Sequence, residues 1–158
     1  MSNSKDFLML VRHDLKNYER WQRKREELYF RMLPKGITYE AAKAKNQDYR
    51  DIIGEGMAIL EGFDRKLDKY KLQLLERYIE AQKLIFSLDD SRLERLLDAY
   101  YLAPHPRTWS EVSSDFDISL RQAHILHSEA ISKLDNNMET SIKQNIESIL
   151  ASKELAIA

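Results

Sequence analysis

Arg121 and His124 stand one helical turn apart, with Ser119, Leu120, Ile125 and Ser128 around them. These are the residues whose types and spacing best suit chemistry, and the chemistry is recognition. A guanidinium at Arg121 can bond bidentately to guanine O6 and N7. His124 can reach a base or a phosphate. Ser119 and Ser128 can donate to phosphate, while Leu120 and Ile125 can meet a thymine methyl. The same set equally describes a solvated or protein-binding face. His124 and His127, spaced i and i+3, can in principle share a metal, but no Cys or Asp completes a site, and two ligands do not make structural zinc. His13 and His105 are isolated. No nucleophile, base and orienting group assemble, and no loop cradles phosphate, so neither an enzyme nor a cofactor is expected.

Such a face needs a helix to carry it. The run 108–134, TWSEVSSDFDISLRQAHILHSEAISKL, reads as two short helices joined by a tight connection. Trp109, Val112 and Phe116 fall on one face of the first helix. Asp117 interrupts, Ile118 follows as a buried plug, and Ser119 stands where an N-cap is wanted. Ala123, Leu126, Ala130 and Ile131 form the inner face of the second helix, which leaves the six candidate residues at its start and on its outer side. A short helix, a turn and a second helix with spare side chains is a helix-turn-helix.

The run resembles the helix-turn-helix of region four in bacterial sigma factors. Thr108, Glu111, Phe116, Ala130, Lys133 and Leu134 match that pattern without a gap, and Val112, Ile118, Ser119 and Leu126 match conservatively. With a helical N-terminal half and the opening at Trp109, Glu111 and Val112, the nearer likeness is to ArpU-like phage transcriptional regulators. The chain departs from the sigma pattern at Ser113, at Asp117 in place of a turn glycine, and at Ala123. Leu120 and Ile125 also stand where sigma factors are usually polar. The resemblance implies a regulator that binds double-stranded DNA, acting on phage late genes.

Composition agrees with a helical binding protein. The 158 residues are 43% hydrophobic and 32% charged, with only four Gly and three Pro, few for an all-β fold. Zero Cys excludes disulfides and thiol catalysis. The N-terminus does not read as a signal peptide, and no apolar run nears the ~20 residues that span a bilayer. A soluble protein of the bacterial host cytoplasm, with no membrane association, is expected. The net charge of −1 hides a gradient. Residues 1–88 hold 18 Lys/Arg against 14 Asp/Glu, whereas 89–134 hold 5 against 8 and 135–158 hold 2 against 4. The helix-turn-helix is thus acidic, although phosphate neutralisation supplies much of DNA affinity.

The expected fold is all-α: a long N-terminal coiled-coil helical hairpin over 1–88, a helix-turn-helix module over 89–134 and a C-terminal helix over 135–158. In the first helix Leu8, Val11, Leu15, Tyr18, Gln22, Arg25, Tyr29 and Met32 alternate three and four apart. The cluster of Arg20, Trp21, Gln22, Arg23, Lys24 and Arg25 is either a solvated face or a grip for phosphate or an acidic partner. Pro34, Lys35 and Gly36 stop that helix, and Thr38 caps a short one through Ala44. From 49 to 88, Ile53, Leu60, Leu67, Leu74, Ala81 and Leu88 recur every seven residues, with Phe63, Tyr70 and Leu84 between. Gly54 and Gly56 lie within, where close packing or fraying is a better account than a nucleotide loop. The seams pair either within the chain or between chains. A helix over 91–102 follows, then Pro104 and Pro106 break the chain. Met138, Ile142, Ile146, Ile149 and Leu150 form a last stripe, either on the chain's own core or as a dimer seam. A homo-oligomer is expected on those two stripes. The main alternatives to a DNA reader are a sigma-like factor that binds RNA polymerase without reading DNA, and a helical assembly adaptor.

Overall fold

The computed structural model describes residues 3–32 and 47–152, with side chains of the second stretch from 51 onward. The turn at Pro34–Gly36 and the short helix from Thr38 to Ala44 lie outside the described residues. The fold is all-α, and the described residues contain no strand. Two long helices, α1 (Asn3–Met32) and α2 (Gln47–Phe86), are followed by α3 (Ser91–Leu97), which passes directly into a π-helical turn (Asp98–Leu102). Then come α4 (Trp109–Asp115), α5 (Leu120–Asn137) and α6 (Thr140–Ser152). Among the described residues no helix is long and apolar enough to cross a membrane.

α1 and α2 lie antiparallel, as the order of their contacts shows. Asp14 meets Arg77, Tyr18 stacks on Tyr70 at 6.0 Å, Trp21 meets Phe63 and Arg25 pairs with Asp64. The seven-residue repeat of α2 is the buried row: Ile53, Leu60, Leu67, Leu74 and Ala81 all lie inside. The seam of α1 differs from its periodic reading. Beyond Tyr18, Trp21 and Leu28 turn inward in place of Gln22 and Tyr29, which are exposed, while Arg25 and Met32 keep half-buried seam positions. A strict 3–4 alternation would have buried an amide and left the indole in water; the drift of a 3.6-residue helix against a 3.5-residue repeat reverses that. Gly56 makes room for the end of Met32, whose Cε would lie 2.6 Å from a Cβ placed there.

One apolar cluster joins the three segments. Phe7, Leu8 and Val11 of α1 pack with Ala81, Leu84 and Ile85 of α2, with Leu93, Leu97, Tyr101 and Leu102, and with Ala130, Ile131 and Leu134 of α5. Ile142 and Ile146 of α6 complete it, and Met138, Ile149 and Leu150 pack against it partly buried. The last stripe therefore covers the chain's own core. Both stripes on which self-association would rest are satisfied within the chain, because each finds apolar partners there at no cost in association entropy.

A buried ion pair crosses the hairpin. Arg77 Nη1 donates to Asp14 Oδ2 at 2.7 Å, with side chains only 7% and 5% exposed. The Tyr70 hydroxyl donates to the Asp14 carbonyl at 3.2 Å. Burial pushes the Asp14 carboxyl up despite the neighbouring guanidinium, and it pushes the Tyr70 hydroxyl up to about 12. Removing one partner leaves an uncompensated buried charge. Arg77→Leu is expected to destabilise the protein by about 3–5 kcal/mol, while Asp14→Leu with Arg77→Met should recover most of that loss. Urea unfolding of the three proteins checks this; equal losses in the single and double variants would refute it.

Candidate nucleic-acid interface

The connection between α4 and α5 is built from local chemistry. Thr108 caps α4 by accepting from the Glu111 amide at 3.3 Å, and its T-x-x-E spacing is that of a capping box. At the other end the Ile118 amide donates to the Ser113 carbonyl at 3.0 Å and the Asp117 amide to the Ser114 carbonyl at 3.2 Å. That pair of bonds is a Schellman motif. It places Asp117 at φ 53, in the left-handed region. Asp thus adopts the backbone conformation for which the sigma pattern supplies glycine. Ser119 then caps α5, its hydroxyl oxygen accepting from the Gln122 amide at 3.0 Å. The hydroxyl proton stays available to donate elsewhere.

Small residues let the two helices cross. Val112 and Ala123 are fully buried, and Ser113 is buried with its hydroxyl donating to the Ser110 carbonyl at 2.9 Å. Ala130, Ile131 and Leu134 carry the inner face of α5 into the shared core, with Leu126 partly buried against it. Three expected core positions differ. Ile118 is half-buried rather than a plug, and Phe116 is half-buried with Arg95 over its ring at 5.6 Å. Trp109 is half-buried and stacks on Tyr100, with ring centroids 3.9 Å apart.

That stack is one layer of a column. The Arg12 guanidinium lies over the Tyr100 ring at 3.9 Å and also donates to the Tyr100 carbonyl. Two groups at that distance require opposite faces of the ring, so Tyr100 is sandwiched between Arg12 and Trp109. Trp109 in turn lies 5.3 Å from the His124 ring and 4.7 Å from the His127 ring. The column runs from α1 to the start of α5. The two neighbouring tyrosines of the π-helical turn point in different directions. Tyr100 enters the column while Tyr101 is fully buried, its hydroxyl 2.6 Å from His127 Nε2.

All six candidate residues lie at the start and on the outer side of α5. Leu120 and Ile125 are 46% and 57% exposed, and Ser119, Arg121, His124 and Ser128 are exposed too. Arg121 pairs with no described carboxylate, unlike Arg107, which meets Asp115, and Lys133, which meets Glu129 at 3.4 Å and Asp90 at 3.8 Å. His127 does not share this face with His124; it is turned inward to Tyr101. Among the described residues no three His, Asp or Glu side chains gather as metal ligands. Sequence reasoning missed the roles of Arg12 and Tyr100, because a lone Arg and a Tyr pair carry no periodic signal of their contact.

Two outcomes follow from this geometry. Asp117→Gly should stabilise the protein by up to about 1 kcal/mol, since a side chain in the left-handed region is strained; a lower thermal midpoint would refute it. Burial pushes His127 down to about 4 from 6.5, with Lys5 and His124 adding to the effect. The unfolded chain therefore takes up this proton first as pH falls. Stability should be full above pH 6.5 and decline toward about pH 4, by up to about 3 kcal/mol. Unfolding across that range checks it, with His127→Gln flattening the decline; parallel curves would count against it. Compared with known proteins, the chain matches no protein-family model, no curated protein and no solved structure.

Proposed function

We propose that this protein is a sequence-specific double-stranded DNA-binding transcription regulator, a phage or prophage late-gene activator working in the cytoplasm of a bacterial host cell. α5 is its recognition helix. The observation that carries this reading is the exposed Arg121, which pairs with no carboxylate among the described residues and stands two residues after the Ser119 cap. The N-terminal end of a recognition helix is where side chains meet base edges. Ser119 and Ser128 serve phosphates, His124 a base or phosphate, and Leu120 and Ile125 the methyl groups of thymine. The resemblance of 108–134 to sigma region four, and of the longer chain to ArpU-like regulators, supports the same assignment.

A second reading rests on Leu120 and Ile125, which are 46% and 57% exposed. Two exposed apolar side chains near the start of a helix also suit a protein partner. Here the module imitates sigma region four and touches RNA polymerase without reading DNA.

Arg121→Ala separates the two. A duplex selected from a random pool and its scrambled counterpart are titrated with both proteins at fixed salt. Loss of one bidentate contact should cost about 1–3 kcal/mol on the selected duplex and relax its preference at one base pair. Affinity for the scrambled duplex should barely change. If wild type and variant bind both duplexes equally, the polymerase-binding reading takes precedence.

A further inference from the structure

The module that presents α5 is poor in usable positive charge. Residues 89–134 hold 5 Lys/Arg against 8 Asp/Glu, and Arg107 and Lys133 are spent on internal ion pairs. A duplex reader nonetheless needs several phosphate contacts, because counterion release supplies the sequence-independent part of its affinity. The charge has to come from another element.

α1 carries it. Lys16, Arg20, Arg23 and Lys24 fall on one face of that helix and line an open groove of about 750 Å³, whose opposite wall is His105 and Pro106. Packing against α2 uses other side chains, Tyr18, Trp21 and Arg25. Lys16, Arg20 and Lys24 pair with no described carboxylate, and Lys24 only approaches the Trp21 ring at 5.1 Å. Two carboxylates, Glu19 and Glu27, stand among these four cations and leave the lining net positive; Glu19 has a structural role. It bonds Arg23 at 3.4 Å and His105 Nδ1 at 3.1 Å, which docks the segment leading into α4 against the cationic face. The row also starts one turn after Arg12, the residue that meets the aromatic column ending at His124. Recognition face and cationic row are thus fixed to one column.

We propose that this face of α1 is a second contact for the duplex that α5 reads, holding the phosphate backbone beside the entry to α4. The inference rests on α5 being a DNA-facing helix. A backbone of regularly spaced anions suits the site better than an acidic protein surface does. The groove is long, open and cationic, and it adjoins the helix that crosses the backbone in helix-turn-helix proteins.

The test uses sheared duplex DNA of mixed sequence, so that it does not depend on knowing the operator. The full-length triple variant Lys16→Gln, Arg20→Gln, Lys24→Gln is compared with Arg65→Gln, Lys66→Gln, Lys69→Gln, which removes the same charge from the exposed side of α2. Circular dichroism and melting establish that both are folded. Binding is then titrated over a salt series. Each lost phosphate contact should reduce the slope of log affinity against log salt by about 0.9, so the α1 triple should flatten it by roughly 2–3. The α2 triple should leave it within one contact of wild type. Equal flattening by both triples overturns the proposal in favour of net charge alone. An unchanged slope in the α1 triple also overturns it, leaving the reading of α5 intact. Failure of wild type to bind any duplex removes that reading and this inference together.

Discussion

A buried guanidinium sits at the joint between α1 and the aromatic column that leads to the candidate interface. Arg12 is 6% exposed, and no carboxylate among the described residues compensates it. It is accommodated by a backbone carbonyl and by the face of the Tyr100 ring. A desolvated cation over an aromatic ring is worth about 2 kcal/mol, and a hydrogen bond from a charged group about 1.5–3. Both contacts end on one residue of the π-helical turn. With Trp109 against its opposite face, Tyr100 fixes the direction in which α4 leaves that turn. This joint acts together with Ala130, Ile131 and Leu134, which fasten α5 to the shared core.

The buried pair of Asp14 and Arg77 plays the complementary part inside the hairpin. An apolar seam between two long helices tolerates sliding by a turn, because one aliphatic layer substitutes for another. An ion pair does not, since a slide strands two charges in a low-dielectric interior. Such a pair contributes little net stability and much discrimination among registers. Gly56 adds a steric mark of the same kind, accepting Met32 at one level of the seam only. Register then sets the height at which Arg12 meets Tyr100.

Much of this architecture is legible in the residues. The seven-residue row of α2 buries as its period demands, since a long helix against one partner has one inner face. Thr108 and Ser119 cap their helices, because an orphan amide at a helix start takes the nearest side-chain oxygen. The exposed set from Leu120 to Ser128 follows from the inner face of α5 by subtraction. The slip from Gln22 to Trp21 was not legible, because periodicity describes one helix and register belongs to two. The burial of Arg12 and His127 was not legible for another reason: nothing in a linear sequence shows which polar residues find partners in the core. The π-helical turn has no compositional mark at all. Asp117 is intermediate. Its left-handed backbone is readable only by setting it beside a pattern that has glycine there.

The first and the last two described α-helices close on one another. The Ser4 amide donates to an Asp135 oxygen at 3.3 Å, and Phe7 and Leu8 share their cluster with Leu134, Ile142 and Ile146. Contacts of such long sequence separation must wait for loop closure before they contribute, which slows folding. Until α5 and α6 dock, α1 lacks the partners they supply, and the apolar surface around Phe7 stays uncovered for as long as that closure takes. It is there that a chaperone or another unfolded chain would find purchase.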